Sequence, residues 1–136
     1  MKKILWIVTI SLFALTSCNK DDDCETNVNT VSGTYLVTAV KYKATPASAE
    51  EDQFATFPAC VKDDLFKLNS NGSFEYQDAG AACSGSYTDT WSLSGSSITI
   101  DGELYTISGF DCKTLTVYAD NYNVAGDRIT VTFVKQ

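Results

Sequence analysis

The chain has 136 residues, a formal net charge of −7 and no histidine. A chain of this length makes one domain, and its acidic balance argues against a nucleic-acid partner, whose phosphates are neutralised by Lys and Arg. Without histidine, the Ser-His-Asp and Cys-His arrangements of many hydrolases are excluded, so we expect neither an enzyme nor a resident cofactor.

Residues 1–17 have the pattern of a bacterial export signal. Lys2 and Lys3 precede an apolar run over residues 4–15, which is shorter than the roughly 20 residues that a membrane-spanning helix needs. Residues 15–18, Leu-Thr-Ser-Cys, resemble a lipobox, in which Cys18 receives the lipid. The sequence therefore predicts a lipoprotein held at the membrane through Cys18. The alternative is an ordinary signal peptide with an incidental cysteine.

A short charged run, Asn19-Lys20-Asp21-Asp22-Asp23, follows the lipobox. It resembles the surface-export tag of lipoproteins in one large group of Gram-negative bacteria. We therefore predict an outer-membrane lipoprotein that faces the cell exterior, with residues 18–32 as lipidated cysteine and acidic tether. The alternative is a solvated tether only, since like charges repel and stay extended. Removal of residues 1–17 would leave 119 residues with a charge of −9.

Short alternating runs separated by turn residues fill the rest of the chain, a pattern typical of an antiparallel sheet with one buried face. Eight strands are predicted, near residues 35–42, 64–68, 73–77, 87–93, 97–100, 103–107, 114–118 and 129–133. The loop over residues 43–60 is long for so small a domain. Its Phe54 and Phe57 are expected to pack on the sheet and to cover a shallow pocket near one rim.

Asp101-Gly102 is the strongest hairpin signal in the chain, because a type I′ turn needs two residues with positive φ. Pairing across this turn places Ile98 opposite Tyr105 and puts both residues on one face with Ile107. Consecutive short links of this kind favour an up-and-down meander. Closure into a barrel would remove its exposed edges, and a two-sheet sandwich is the alternative architecture.

Four cysteines remain after the lipidated one: Cys24, Cys60, Cys83 and Cys112. An even number in an oxidising compartment favours two disulfides, although four cysteines permit three pairings. A hairpin centred between Ser70 and Asn71 would bring residue 60 opposite residue 81, close to Cys83. That register favours a Cys60–Cys83 bond and leaves Cys24 for Cys112.

The order and spacing of several short segments resemble the small lipocalin-like lipoproteins of Gram-negative bacteria, over about residues 33–136. The segments are Gly33-Thr34-Tyr35, Cys60 with Lys62-Asp63-Asp64, Asn71-Gly72-Ser73-Phe74, Cys83, the strand around Trp91, and Ile98-Thr99-Ile100. Lipocalins usually carry Gly-x-Trp where this chain has Gly33-Thr34-Tyr35, and no counterpart is identified for the Arg that commonly packs over that Trp. The resemblance implies an all-β domain: a single eight-stranded, antiparallel, up-and-down barrel that accepts a small hydrophobic molecule.

Six large side chains are candidates for the barrel interior and for lining a ligand: Phe66, Phe74, Tyr76, Trp91, Tyr105 and Phe133. Two functions follow from the two ways in which they can be used. As a ligand wall they would make a binding module. As a filled core they would leave a structural lipoprotein that contacts a protein partner, of a class that the sequence does not identify, at the cell surface.

The carboxylates give no sign of catalysis or of a metal site. Asp63 and Asp64 are adjacent, so on a strand they would point to opposite faces, and we interpret them as strand-entry or turn residues. Asp120 and Asp127 are interpreted as solvated charge because no EF-hand spacing surrounds them. No CxxC spacing and no histidine are present, so a zinc site is not expected.

Overall fold

The computed structural model describes residues 24–136. The predicted export signal, Cys18 and the run from Asn19 to Asp23 therefore lie outside the described residues. Over residues 24–136, no helix is both long enough and apolar enough to cross a membrane. The regular secondary structure of the described chain is mainly β, with two four-residue helices, α1 (Val28–Val31) and α2 (Ala59–Lys62), and a 3₁₀ helix over Phe54–Thr56.

Nine antiparallel strands form one sheet that closes into a barrel-like ring. They are β1 (Gly33–Lys43), β2 (Glu51–Asp52), β3 (Leu65–Leu68), β4 (Ser73–Gln77), β5 (Tyr87–Ser94), β6 (Ser97–Ile100), β7 (Glu103–Phe110), β8 (Thr114–Asp120) and β9 (Arg128–Lys135). Strands β3 to β9 pair in chain order, and β1 pairs with both β3 and β9. The short links between strands favoured a single closed sheet over a two-sheet sandwich, and the structure has the single closed sheet.

The prediction of eight strands missed one element. Strand β2 has only two residues and pairs with β1, where Tyr42 lies opposite Glu51 and Lys41 opposite Asp52. It lies within the segment that the sequence predicted to be a loop. So short a strand has no alternation of its own, and its conformation depends on the neighbouring strand. The other eight strands make the ring.

The Asp101-Gly102 turn and its register are confirmed. Asp101 has a φ of 54° and Gly102 a φ of 78°, which is the left-handed conformation that a type I′ turn requires. Ile98 pairs with Tyr105; Ile98 is in the buried core, and Tyr105 and Ile107 pack against that core from the same face. A local pattern of two residues therefore determines which faces of β6 and β7 point inward.

The hairpin between β3 and β4 has a different centre from the predicted one. Phe66 pairs with Tyr76, so the hairpin is centred on Asn71, and the register used to place the cysteines was off by one residue. Both predicted disulfides are nevertheless present: Cys60–Cys83 with Cα atoms 5.9 Å apart, and Cys24–Cys112 with Cα atoms 5.5 Å apart. The small error did not change the pairing because Cys60 lies in α2 and Cys83 in a loop, where neither is bound to the strand register.

The two ends of the ring differ. At the closed end lie α1 and the connections over residues 69–72, 95–96 and 111–113. At the open end lie the connections over residues 44–64, 78–86, 101–102 and 121–127. The most deeply buried apolar side chains, each at most 2% exposed, are Val31, Tyr35, Leu68, Phe74, Ile98, Leu115 and Val117.

Residues 24–32, predicted to be part of the tether, belong to the fold. The side chain of Asn27 caps α1 by accepting hydrogen bonds from the backbone N–H groups of Asn29 and Thr30 at 3.0 and 3.1 Å. Val31 is fully buried, and its carbonyl accepts a hydrogen bond of 2.6 Å from the Tyr35 hydroxyl. This segment closes one end of the ring, which an extended, solvated chain would not do.

Candidate functional site

An apolar chamber of about 200 Å³ lies at the open end of the ring. The strands contribute seven of its lining side chains: Val37, Val40, Phe66, Tyr105, Ile129, Val131 and Phe133. Phe54, Phe57 and Val61 come from the segment after β2, and Tyr122 comes from the loop before β9. Every lining side chain is aliphatic or aromatic, so the chamber suits an apolar group.

The segment over residues 53–62, here called the lid segment, covers part of the chamber. It begins where the backbone N–H of Gln53 donates a hydrogen bond of 2.9 Å to the carbonyl of Val40. Phe54 and Phe57 then pack edge to face with their ring centroids 5.9 Å apart. Lys62 lies over the Phe54 ring at 5.4 Å. The two phenylalanines thus line the pocket near one rim, where the long loop was expected to place them.

The lid segment is linked to the loop over residues 78–85 by the Cys60–Cys83 disulfide. That loop is organised around the Asp78 carboxylate, which accepts hydrogen bonds from the backbone N–H groups of Gly85, Ser84 and Cys83. These donors, with Gly85 and Ser84 contributing most, hold the pKa of Asp78 below its ordinary value. A carboxylate that is bound in this way fixes the position of the Cys83 end of the disulfide.

Asp64 binds the start of the same loop, over residues 78–85, to strand β4. It is 1% exposed, and it accepts a hydrogen bond from the Tyr76 hydroxyl and another from the backbone N–H of Ala79 at 3.0 Å. Asp63 ends α2, and its carboxylate lies against Gly80. Both carboxylates thus take part in shaping the connections around the lid segment.

The chamber opens into a second, more polar space of about 480 Å³, here called the vestibule. The two share Val40, Phe57, Tyr122 and Ile129, and the vestibule adds Tyr42, Glu51, Gln53 and Asn123. The Tyr42 hydroxyl donates a hydrogen bond of 2.9 Å to Asp127. This bond, followed by burial and the nearby negative charges, raises the pKa of Tyr42, so the phenol stays protonated at neutral pH.

The interpretation of Asp127 as solvated charge was wrong. The residue is 1% exposed, and its Oδ2 atom accepts hydrogen bonds from Tyr42 and from the backbone N–H groups of Asn123 and Val124. Burial alone would raise the pKa of Asp127, but these donors outweigh it and lower that pKa. Within the described residues its Oδ1 atom is buried without a hydrogen-bond partner. Asp120, by contrast, forms an exposed ion pair with Arg128 at 2.6 Å.

The six predicted ligand-lining residues divide into two sets. Phe66, Tyr105 and Phe133 line the chamber, and burial raises the pKa of Tyr105 to about 12. Phe74, Tyr76 and Trp91 belong to the packed core instead, where Phe74 is fully buried and Trp91 is 4% exposed. The indole N–H of Trp91 donates a hydrogen bond of 2.7 Å to the carbonyl of Asn69, at the closed end. These three side chains therefore fill the ring and do not line the chamber.

The sequence did not identify three other residues that line the chamber: Val37, Val61 and Tyr122. Val61 lies in a helix of four residues, which is too short to show a helical period. Tyr122 lies in a polar loop that gives no periodic signal at all. Val37 lies on β1 and faces inward next to a β-bulge between Val37 and Ala39. The only available signal was the paired phenylalanines of the long loop.

The chamber presents apolar walls and few polar groups. No group of three or more Cys, Asp or Glu side chains within residues 24–136 is arranged to hold a metal ion. The phenols of Tyr105 and Tyr122 are the titratable groups that line the chamber. The sequence matches no protein-family model and no curated protein.

Proposed function

We propose that this protein is an outer-membrane lipoprotein, anchored through Cys18 and facing the cell exterior, whose lipocalin-like barrel binds a small hydrophobic molecule. The observation that carries the proposal is the apolar chamber of about 200 Å³ at the open end of the ring. Its aromatic lid segment and its polar vestibule match the general form of a small-molecule site, which is mostly apolar with a few polar groups at its mouth.

The packing around Tyr35 supports the lipocalin-like assignment. Tyr35 is fully buried, and the Lys135 ammonium lies 5.5 Å from the centroid of its ring while donating a hydrogen bond of 2.8 Å to the carbonyl of Thr30. Tyr35 and Lys135 thus resemble the Trp and Arg pair of lipocalins. Gly33 fits the same pattern, because a Cβ atom there would collide with the Lys135 side chain.

The position of the anchor supports a ligand taken from the surrounding medium. Cys24 is bonded to Cys112 at the closed end, and the six residue-to-residue steps from Cys18 to Cys24 span at most about 21 Å when extended. The lipid would therefore hold the closed end towards the membrane and leave the open end facing away. Cys18→Ser is expected to stop fatty-acid incorporation and to release the protein into the soluble fraction.

A second candidate is a ligand-free lipoprotein that contacts a protein partner. Leu104 and Val124 favour it, since they are 65% and 58% exposed; Leu104 lies beside the turn over residues 101–102, and Val124 lies in the open-end connection over residues 121–127. Single exposed apolar residues are common on protein surfaces, however, and do not by themselves make an interface. The chamber is the more specific feature.

Titration with the fluorescent apolar probe phenylnaphthylamine separates these candidates, because its phenyl ring would fill the chamber while its naphthyl group occupied the larger vestibule. The proposal predicts saturable uptake of one probe per chain. Val61→Trp should fill the chamber and abolish uptake, whereas Val28→Trp makes the same change on an exposed face at the closed end and should leave uptake intact. A wild-type protein that takes up no probe would favour the ligand-free candidate.

A further inference from the structure

The vestibule has a definite sign of charge. Among the described residues that line it, Glu51 is the one with a formal charge, and it is negative. Asp127 lies directly behind Tyr42, and its buried carboxylate is held by three hydrogen-bond donors, none of which is a cation. A ligand head group entering this space therefore meets the negative charge of Glu51 and, behind Tyr42, that of Asp127.

Two hydrogen-bond donors of the vestibule, Tyr42 and Gln53, are directed at carboxylates. The Tyr42 hydroxyl gives its proton to Asp127 at 2.9 Å, so its oxygen is free to act only as an acceptor. The Gln53 amide points to Glu51, with its Nε2 atom 3.5 Å from the carboxylate. The Tyr42 oxygen and the Glu51 carboxylate are therefore acceptors in this space that suit a head group with N–H donors.

Lys43 lines a separate pocket with Glu50 and Asp120, and the other neighbouring cations are engaged in contacts of their own. Lys41 pairs with Glu50 at 3.5 Å, and Arg128 pairs with Asp120 at 2.6 Å. Lys62 donates a hydrogen bond of 3.1 Å to the carbonyl of Ala55. An anionic head group would have to break one of these contacts to find a partner, whereas a cationic one would not.

Aromatic rings add to the preference for a cation. Tyr42, Phe57 and Tyr122 all line the vestibule. An ammonium group within about 6 Å of an aromatic centroid is attracted to the negative face of the ring. The walls that separate the vestibule from the chamber can thus stabilise a positive charge at the junction of the two spaces.

The chamber limits the size of the apolar part. Its volume is about 200 Å³, and a water-sized group occupies about 30 Å³ in a liquid. Roughly seven such groups would fill it, which corresponds to a single ring or a heptyl chain. A long acyl chain would not fit within this volume.

We propose that the natural ligand is a small cationic amphiphile: an amine whose ring or short alkyl chain fills the chamber and whose ammonium group lies in the vestibule beside Glu51 and the Tyr42 oxygen. The inference rests on the proposed ligand-binding function and specifies its ligand class.

Competition against phenylnaphthylamine tests this inference with three ligands that share a heptyl tail: heptylamine, heptanol and octanoate. The full chain carrying Cys18→Ser is used, so that no detergent competes for the chamber. Because an exposed ion pair contributes little, heptylamine is expected to bind about two- to fivefold more tightly than heptanol. Octanoate should bind more weakly than heptanol, and added salt should reduce both differences.

Glu51→Gln should remove most of the preference for heptylamine, whereas Glu25→Gln, which removes the same charge at the closed end, should not. Octanoate binding as tightly as heptylamine would overturn the inference and leave the proposed function standing. So would an amine preference that Glu51→Gln does not alter. Failure of all three ligands to displace the probe, or of the probe to bind, would overturn the proposed function itself.

Discussion

The closed and open ends of the ring use similar residues for different purposes. Each end has a short helix and a disulfide. At the closed end α1 inserts Val31 completely into the core, whereas at the open end the lid segment lies over a space that it does not fill. Apolar composition therefore does not distinguish a core from a binding site. The distinction comes from how deeply the covering segment inserts.

The bonding of the two covering segments explains this difference. At the closed end Tyr35 and Lys135 both donate hydrogen bonds to carbonyls of α1, at 2.6 and 2.8 Å. At the open end Gln53 donates one backbone hydrogen bond to β1, and Phe54 and Phe57 remain only partly buried. We therefore expect substitutions at the closed end to change stability and substitutions at the open end to change ligand uptake.

The two disulfides give the largest expected effects and the sharpest contrast. In the chain-entropy model, the Cys24–Cys112 bond, which joins residues 88 apart, contributes about 4.6 kcal/mol. The Cys60–Cys83 bond, which joins residues 23 apart, contributes about 3.4 kcal/mol. Urea unfolding of each double Cys→Ser variant measures these losses. Only the Cys60–Cys83 variant should also show altered probe uptake, and equal effects on uptake would contradict the division between the ends.

Trp91→Ala should destabilise the protein by about 3 to 5 kcal/mol, the usual cost of emptying a buried aromatic site. Trp91 is 4% exposed and its indole hydrogen bond to Asn69 would also be lost. Chemical denaturation provides the measurement, with Trp91→Phe as the conservative control. A variant of nearly wild-type stability that has lost probe uptake would instead identify Trp91 as part of the ligand wall.

Phe57→Ala should affect probe binding more than stability, in contrast to Trp91→Ala. Because Phe57 is only partly buried and lines both the chamber and the vestibule, we expect a loss of about 1 kcal/mol in stability and a clear weakening of probe binding. Phe110, which is also partly buried but does not line the chamber, is the matched control. Loss of uptake in Phe110→Ala to the same extent would show that uptake reports general loosening.

Acid should lower the free energy of unfolding through one carboxylate at each end of the ring. Backbone hydrogen bonds lower the pKa of Asp78 beside the lid segment and of Asp111 in the closed-end turn. Folded-state pKa values below the ordinary 3.8 stabilise the protein above that pH, and this stabilisation is lost as the pH falls through the lowered values. The free energy of unfolding should thus fall between about pH 5 and pH 2. Asp78→Asn and Asp111→Asn should each make that fall shallower, and an unchanged slope would contradict the assignment.

Local patterns in the sequence predicted much of the sheet but little of the site. The Asp101-Gly102 turn specifies its own register through two positive φ angles. The lid segment, by contrast, acquires its position from a disulfide and from a bond to β1. Asp127 looked solvated because its key partner, Tyr42, is 85 residues away in sequence. Lys135 was not identified as a partner of Tyr35 because ring closure between β1 and β9 brings them together.

Trp91, the one tryptophan of the chain besides Trp6 of the export segment, allows a direct test of where a ligand binds. Bromoheptanol quenches indole fluorescence on close contact, so a Phe57→Trp reporter in a Trp91→Phe background should be quenched saturably in the mature protein. In a second sample, the mature protein without these substitutions, the fluorescence of the native Trp91 should remain unquenched over the same concentrations. Quenching of Trp91 with no effect at position 57 would place the ligand in the closed half and contradict the account.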